Sequence, residues 1–575
     1  MELIFKSNIL PIILLSNIIL SLILMRYFSL IAILFFASLL CLIYYLIIRP
    51  RYRENIYYLI ILIGLIFILR MIPVLIGYGF VIPGSLLRHL YASETILDYG
   101  KIPFYFPEWE TQPYNFWPGS YLFLVLNSHI LGITIYQLYP ILIALVNSFI
   151  YIFFFLLVRG FLDWKTALVA TLLSASLKPF IVSQAMNSPE TLAYLGFFLS
   201  AFLLSKILLY KSNNLYFIIL LLLSTGLILI SHHLTSYFYF MIVVAMVIWS
   251  INKKPSLVIN YLLIFTVLVL TYWMYISYSF FKDVALNAIR FILSALSNGF
   301  QRPEVIVPHT GDTPFSLFWY DKLGQFSSIL FYLLGLYALI RSYNNKKIRV
   351  FIIWSIILGI TFLFSTLTRL GELLESARHI IILAYPMSIL ISFLYMQIKQ
   401  RKLNGLFLFI ITLIIFIQAS SGFPAQIYKL NDIPHPIMQR AEDKMMGQWL
   451  NNNTLMSSII MGDTRVSENV LYYGRRESFF AGRATVDKFF RNINTQNYSS
   501  LLYTSYPLTN IALGETKYVK LNYFIMDLFN VKYKVYSKWG LYFPVEKASI
   551  AYNWENAINN NTIYNDGFYN IAYIQ

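Results

Sequence analysis

The sequence predicts a polytopic α-helical membrane protein with about 13 transmembrane helices, followed by a C-terminal mixed α/β domain outside the membrane. Three observations predict this class. Hydrophobic residues make up 58% of the 575 residues and charged residues only 12%, which is more apolar than a soluble domain. Apolar stretches long enough to cross a bilayer recur as far as Ser421. Beyond Ser421 the pattern changes to short alternating runs of apolar and polar residues.

Residues 1–421 form the predicted transmembrane domain. Its first apolar stretch has no small-residue cleavage site and a second stretch follows at once, so we interpret it as a retained signal anchor. Long uniform runs in lipid indicate helices, because the backbone must satisfy its own hydrogen bonds there. The predicted spans are 9–25, 29–48, 56–78, 139–158, 166–181, 191–210, 216–230, 237–250, 257–281, 323–340, 350–366, 380–396 and 406–419.

Basic residues set the predicted orientation. The formal net charge is +17, but the Lys and Arg residues lie in short alternate loops, which indicates membrane topology and no nucleic-acid partner. These loops face the cytoplasm by the positive-inside rule. The apolar stretch 121–135 must then be re-entrant, because a full crossing would invert every later loop. The N-terminus is therefore predicted to be cytoplasmic.

An odd number of spans places the tail, 422–575, on the extracytoplasmic side of a plasma membrane. The N-x-Ser/Thr sequences, at Asn452, Asn497 and Asn560, all lie in this tail, which agrees with that orientation. The tail has many aromatic residues among its short runs, which favours a mixed α/β domain. Cys41 is the only cysteine, so the sequence excludes an internal disulfide and a cysteine-based metal site.

The first outer loop, 81–119, carries the candidate catalytic residues. Residues 86–99 fit an amphipathic helix whose polar side includes Glu94 and Asp98. These carboxylates are four residues apart and share a helix face, so one could act as a general base, or both could hold a divalent cation such as Mg²⁺ or Mn²⁺. A solvated interfacial helix explains the same pattern, and the sequence leaves both interpretations open.

Polar residues of the outer segments are candidates for substrate binding. A guanidinium suits a phosphate or pyrophosphate group, and a histidine can donate to phosphate. Each feature also has a structural explanation: the residue after Pro189 can complement a helix dipole, the adjacent histidines can be structural, and Glu375 can pair with Arg378. The candidates are Arg88, His89, Glu190, His232, His233, Arg369 and Arg378. The outer loop 282–322 contains Pro and Gly and is long enough to cover a site.

Three short motifs occur within this layout: Gly100-Lys-Ile-Pro103 after the amphipathic helix, Trp117-Pro-Gly-Ser-Tyr121 before the re-entrant segment, and Asn187-Ser-Pro-Glu190 in the second outer loop. With these motifs the chain resembles the class C (GT-C) glycosyltransferases over most of its length. The resemblance implies a polyprenyl-phosphate-linked sugar donor, a glycan, lipid or protein acceptor, and chemistry on the outer membrane face of the cell envelope.

The sequence departs from the GT-C pattern in two places. Members usually carry an Asp a few residues before the histidine of the juxtamembrane helix, where this chain has Pro83-Gly84-Ser85. The oligosaccharyltransferase signature Trp-Trp-Asp-Tyr-Gly is missing from the tail, which disfavours protein N-glycosylation.

Three functions follow from these observations. The first is a glycosyltransferase, and the alternative is a non-catalytic relative that binds lipid-linked glycan or scaffolds an envelope complex. A transporter ranks last, because the sequence has no paired repeat halves and Arg70 and Lys178 lie near span ends, where they are expected to snorkel outward.

Overall fold

The structure is a computed structural model. It describes residues 10–25, 31–48, 56–75, 86–102, 116–177, 180–181, 189–210, 215–251, 255–278, 281–282, 286, 289, 319–367, 376–398, 404–421, 441–455, 459–462, 470, 473, 477–480, 508–509, 516–517, 523–527, 535–538, 541–544, 562–565 and 569–573. The predicted residues Arg369, Glu375 and Lys178, and nearly all of the loop 282–322, lie outside these residues.

Helices dominate the described part before residue 422. In chain order they are α1 (Leu10–Met25), α2 (Ala32–Ile48), α3 (Ile56–Leu75), α4 (Leu86–Tyr99), α5 (Gly119–Leu131), α6 (Ile135–Phe161), α7 (Trp164–Ala175), α8 (Glu190–Tyr210), α9 (Leu215–Ser231), α10 (His233–Ser250), α11 (Pro255–Thr271), α12 (Trp319–Ser342), α13 (Arg349–Leu367), α14 (Ser376–Ile398) and α15 (Asn404–Ser421). A π-helical turn, Tyr272–Ile276, continues α11.

Seven helices of the described part are long and apolar enough to cross a membrane: α6, α8, α10, α11 with its π-helical turn, α12, α13 and α14. Six shorter apolar helices, α1, α2, α3, α5, α9 and α15, accompany them. These helices make the chain a multi-pass membrane protein. The number of crossings, the re-entrant path of 121–135 and the orientation of the termini stay predictions.

The chain forms two compact units. Unit 1 comprises Met1–Gly77, Gln137–Pro303 and Trp319–Ile427. Unit 2 comprises Tyr78–Tyr136, Glu304–Phe318 and Tyr428–Gln575. The first outer loop therefore groups with the tail in unit 2, whereas the membrane helices that precede and follow it group in unit 1.

Helix α14 forms the centre of unit 1. It packs against α7, α12, α13 and α15, and 72% of its membrane-spanning window is buried inside the protein. Only 17% of the corresponding window is buried in α11, whose exposed residues include Leu263 and Val267. Lipid is as apolar as these side chains, so a helix can expose them to it. The high buried fraction therefore indicates that α14 is a core helix, and the low fraction indicates that α11 faces lipid.

Local sequence determines where several helices begin and end. Asp163 caps α7, since its carboxylate accepts a hydrogen bond from the backbone N–H of Thr166 at 3.0 Å. Lys165 donates to the carbonyl of Ile48 at the C-terminal end of α2, where a cation complements the helix dipole. Helix α5 ends at Gly132, whose φ of 64° is the left-handed conformation that glycine adopts without strain.

Arg70 corrects one prediction from the sequence. Its side chain does not snorkel outward: the residue is only 3% exposed inside α3, and Nη2 donates to the hydroxyl of Tyr151 on α6 at 3.3 Å. The guanidinium also lies 5.3 Å from the centre of the Tyr151 ring. The sequence gives no sign of these partners, because they come from a helix about 80 residues away.

The described part of the tail contains one helix, α16 (Ala441–Asn453), and nine strands. They are β1 (Ile459–Gly462), β2 (Glu477–Phe480), β3 (Leu508–Thr509), β4 (Thr516–Lys517), β5 (Tyr523–Asp527), β6 (Val535–Lys538), β7 (Leu541–Pro544), β8 (Thr562–Asn565) and β9 (Tyr569–Tyr573). Five of them form a mixed sheet in the order β2-β1-β5-β9-β8. The β2-β1-β5 part is parallel, and β9 is antiparallel to both of its neighbours. The pairs β3-β4 and β6-β7 form separate antiparallel ribbons.

Candidate functional site

Three predicted residues of unit 1 meet although they are far apart in sequence. The guanidinium of Arg378 forms an ion pair with the carboxylate of Glu190, through Nη1 and Oε1. The Nε2 atom of His232 lies 3.7 Å from the same carboxylate oxygen. The side chain of His232 is 4% exposed, that of Glu190 13% and that of Arg378 25%. This set, the Glu190 cluster, is therefore mostly buried but open to solvent on the arginine side.

The ring of His232 is held in a defined orientation. His232 caps α10, and its Nδ1 atom accepts a hydrogen bond from the backbone N–H of Thr235 at 3.3 Å. Because Nδ1 acts as an acceptor there, the proton of the neutral ring belongs on Nε2. That proton points toward the carboxylate of Glu190, so the cap sets the tautomer that faces the cluster.

The Glu190 cluster lies where three helices begin. Glu190 is the first residue of α8, His232 precedes α10, and Arg378 is in the first turn of α14. The N-terminal end of a helix carries a partial positive charge, which favours Glu190 and disfavours Arg378. The ion pair offsets that cost. Three helix N-termini and one arginine contribute positive charge to the cluster, whereas one carboxylate contributes negative charge. The cluster is therefore electropositive and suited to an anion.

Aromatic and histidine side chains surround the cluster. The hydroxyl of Tyr194, one turn along α8, contacts Glu190 Oε2 at 3.5 Å. The ring of His233 lies 4.9 Å from that of His232. His379 follows Arg378 and is fully buried, with its ring 5.0 Å from the ring of Phe238 on α10. His379 thus joins α14 to α10 behind the cluster.

Helices α4 and α5 of unit 2 hold the other predicted residues. Nδ1 of His89 forms a hydrogen bond of 2.8 Å with the hydroxyl of Tyr121, and their rings stack at 5.7 Å. Both residues are buried, at 2% and 1% exposure, and an apolar contact of Ala92 and Ile96 with Tyr121 continues the interface. His89 therefore joins the two helices, and its role in substrate binding stays a prediction.

The predicted catalytic carboxylates lie on α4 at the edge of this interface. Glu94 is half-buried and Asp98 is exposed, so both can reach solvent or a substrate. Arg88 is in the same helix, but its side chain lies outside the described part of the structure. The catalytic role of Glu94 and Asp98 stays a prediction.

The described residues do not form a complete cation site. No three His, Cys, Asp or Glu residues among them are grouped closely enough to hold a metal ion. Glu190 already has the positive charge of Arg378 next to it, which opposes a second cation there. Glu94 and Asp98 stay the predicted ligands among the described candidates, and Mg²⁺ or Mn²⁺ would need further ligands beside them.

Sequence reasoning identified Glu190, His232 and Arg378 separately but did not predict that they meet. The structure pairs Arg378 with Glu190. Glu375, the partner considered from the sequence, lies outside the described residues, so that pair stays a prediction. Sequence reasoning also missed Tyr194, although the spacing of four residues from Glu190 places both on one helix face.

Solved structures share this fold. The oligosaccharyltransferase of Archaeoglobus fulgidus, solved with a tethered acceptor peptide, has a TM-score of 0.52 and 12% identity over 83% of this chain and 70% of that chain. The same enzyme solved with zinc and sulfate has a TM-score of 0.50 and 13% identity over 82% and 68%. ArnT of Cupriavidus metallidurans, solved with undecaprenyl phosphate, is more distant, with a TM-score of 0.47 and 10% identity over 91% of this chain and 99% of that chain.

No protein-family profile matches the sequence. No curated protein matches it either. The archaeal oligosaccharyltransferase is a GT-C glycosyltransferase, so the resemblance predicted from the sequence is confirmed at the level of the fold. At 11–13% identity the likeness says nothing about substrate or activity.

Proposed function

We propose that the protein is a membrane glycosyltransferase that transfers a sugar from a polyprenyl-phosphate donor to an acceptor on the outer face of the membrane. The GT-C fold supports this class of reaction. The observation that carries the proposal is the Glu190 cluster, in which Arg378 stands at three helix N-termini with one side open to solvent.

Arg378 is suited to the phosphate of the donor. A guanidinium binds phosphate oxygens through two parallel hydrogen bonds, and the helix N-termini add partial positive charge. An arginine in the first turn of a helix is electrostatically unfavourable unless an anion lies nearby. Glu190 supplies that anion in the free protein, and the lipid phosphate would share Arg378 with it. His232, with its proton on Nε2, is a second donor within reach.

The proposed transfer is a displacement at the anomeric carbon. The acceptor hydroxyl attacks the anomeric carbon of the donor with inversion, a new carbon–oxygen bond forms, and the bond to the phosphate oxygen breaks. The polyprenyl phosphate leaves with the bonding electron pair, and Arg378 stabilises its charge. The hydroxyl proton passes to a carboxylate, a role that the sequence predicts for Asp98 or Glu94.

Replacement of Arg378 tests this proposal. The full-length protein in lipid nanodiscs is supplied with polyprenyl phosphates carrying different sugars, and release of polyprenyl phosphate is measured. We expect Arg378→Gln to lower kcat/KM by about 10²- to 10³-fold, the loss typical of one charge-stabilising donor. Arg378→Lys should retain part of the activity, because it keeps the charge but loses the bidentate geometry.

Arg341 provides the matched control. It is an exposed arginine in the last turn of α12, and Arg341→Gln removes one positive charge without touching the cluster. Its kcat/KM should equal that of the unchanged protein. Equal activity of Arg378→Gln and Arg341→Gln would overturn the assignment of Arg378 to the phosphate.

A non-catalytic relative that binds lipid-linked glycan is the second candidate. Pro83-Gly84-Ser85 at the position where GT-C enzymes usually carry an Asp favours it. Both candidates predict binding of a polyprenyl-phosphate sugar that Arg378→Gln weakens, but only the first predicts turnover. Saturable binding without release of polyprenyl phosphate from any donor would therefore select the second.

A further inference from the structure

Arg70 is a fixed positive charge inside unit 1, away from the Glu190 cluster in sequence. It is buried in α3, and an arginine stays protonated in proteins. Ionisable residues at membrane depth are costly, so their partners usually reveal a role. One partner of Arg70 is a phenol: Nη2 donates to the hydroxyl of Tyr151 on α6 at 3.3 Å, and the guanidinium lies over the same ring.

A series of aromatic side chains connects Arg70 with the Glu190 cluster. The ring of Tyr151 lies 6.4 Å from that of Tyr385 on α14. The ring of Tyr385 in turn lies 4.6 Å from that of Phe198 on α8, which is one helical turn after Tyr194. Tyr194 contacts the carboxylate of Glu190 at 3.5 Å. The contacts thus run from α3 through α6 and α14 to α8, as hydrogen bonds at the two ends and as ring contacts between them.

Helix geometry explains why this series matters for Arg378. Tyr385 follows Arg378 by seven residues, which is two turns, or about 10 Å, along the same face of α14. Tyr194 follows Glu190 by four residues on the matching face of α8. The two helices therefore meet at two levels, through the ion pair at their N-termini and through the contact of Tyr385 with Phe198 further along. An interaction that fixes Tyr385 therefore also fixes the register of the ion pair.

The surroundings of Tyr385 make its position sensitive to the Arg70–Tyr151 contact. Its ring packs against Phe154, Phe180 and Phe198, at 5.3, 4.7 and 4.6 Å between ring centres. The next residue, Pro386, lies inside α14 and removes one backbone hydrogen bond from the helix. The Arg70–Tyr151 contact adds a polar restraint beside this weakened turn.

We propose that Arg70 is a positioning residue: acting through Tyr151 and Tyr385, its buried guanidinium holds the face of α14 that carries Arg378 in register with Glu190. Arg70 does not touch the substrate in this arrangement. The inference about register depends only on contacts within unit 1, and its effect on lipid-phosphate binding rests on the function proposed above.

The test measures how strongly Glu190 and Arg378 are coupled. Thermal unfolding of the full-length protein is followed for Glu190→Gln, Arg378→Gln and the double variant, and the non-additive part of the shifts in unfolding temperature is the coupling. The cycle is repeated in Tyr151→Phe, which removes one hydroxyl but keeps the ring. We expect the coupling to fall to about half or less there, because neighbouring interactions are not additive.

Tyr239→Phe is the matched control background. Tyr239 is also fully buried in a membrane helix, and its hydroxyl bonds to that of Tyr261 at 2.9 Å, in a different hydrogen-bonded group. The coupling in Tyr239→Phe should equal that in the unchanged protein. An unchanged coupling in Tyr151→Phe, or an equal loss in both backgrounds, would overturn the role of Arg70.

A second measurement links the register to function. Binding of polyprenyl phosphate without a sugar is measured in nanodiscs, and we expect Tyr151→Phe to weaken it about five- to tenfold while Tyr239→Phe leaves it unchanged. If Arg378→Gln itself leaves binding unchanged, the phosphate assignment fails, and the coupling cycle still decides the role of Arg70. If Arg378→Gln weakens binding and Tyr151→Phe does not, Arg70 has no role in the site.

Discussion

The Glu190 cluster of unit 1 and the His89–Tyr121 pair of unit 2 each use a buried histidine at a contact between helices, but for different purposes. His232 turns its protonated nitrogen toward a carboxylate that is also bound to Arg378. His89 bonds to a phenol and stacks on its ring. The first arrangement leaves charged groups partly open to solvent, whereas the second buries both partners almost completely.

The first arrangement is suited to binding an anion, and the second is suited to packing two helices together. A cluster with an arginine, a carboxylate and three helix N-termini can exchange one anion for another. A neutral histidine bonded to a tyrosine gains little from a ligand, because its ring is already enclosed and bonded. In unit 2 the residues predicted to be catalytic stay the carboxylates on the same helix, Glu94, which is half-buried, and Asp98, which is exposed.

The largest effect on activity is expected when a predicted general base on α4 is removed. We expect Asp98→Asn or Glu94→Gln to lower kcat by about 10²- to 10⁴-fold, as removal of a positioned base does, with little change in unfolding temperature. Turnover of a polyprenyl-phosphate sugar and thermal unfolding, measured on the same samples, check both parts.

Lys101→Gln is the control for these two variants. Lys101 is exposed just after α4, so its replacement changes one charge near the same helix without removing a carboxylate. Its kcat should stay unchanged. Full activity in the double variant Asp98→Asn, Glu94→Gln would remove the catalytic role from α4, and the chemistry of unit 2 would have to lie in other residues.

The two regions also differ in how far the sequence predicted them. The amphipathic pattern of 86–99 predicted a helix, and α4 covers that range. Local periodicity contains this information, because it records which face of one helix is apolar. The meeting of Glu190, His232 and Arg378 depends on how α8, α10 and α14 pack, and no local pattern records that. For the same reason the sequence did not predict the buried partners of Arg70.

A moderate effect is expected in the Glu190 cluster. Glu190→Gln keeps the shape of the side chain but leaves Arg378 without its counter-charge beside three helix N-termini. Loss of one partner of a fully buried pair costs about 3–5 kcal/mol, and partial exposure of Arg378 should reduce this to about 1–2 kcal/mol. Denaturation of the full-length protein in detergent measures the change.

Added anion provides a control for this variant. Because inorganic phosphate can replace the missing carboxylate next to Arg378, it should stabilise Glu190→Gln more than the unchanged protein. Chloride at equal ionic strength should not do so. An equal response of both proteins to phosphate would mean that Glu190 does not compete with anions, and the cluster would then resemble the His89–Tyr121 pair in being structural.

The smallest effect is expected for Tyr121→Phe, which removes the hydroxyl bonded to His89 and keeps the stacked ring. Loss of one buried hydrogen bond should lower the free energy of unfolding by about 0.5–1 kcal/mol, because His89 Nδ1 loses this partner. Tyr99→Phe, at the exposed end of α4, should be neutral. Binding of polyprenyl phosphate should be the same in both variants if His89 only joins α4 to α5. A selective loss of binding in Tyr121→Phe would instead give His89 the substrate-binding role predicted from the sequence, and the histidines of the two regions would then serve the same purpose.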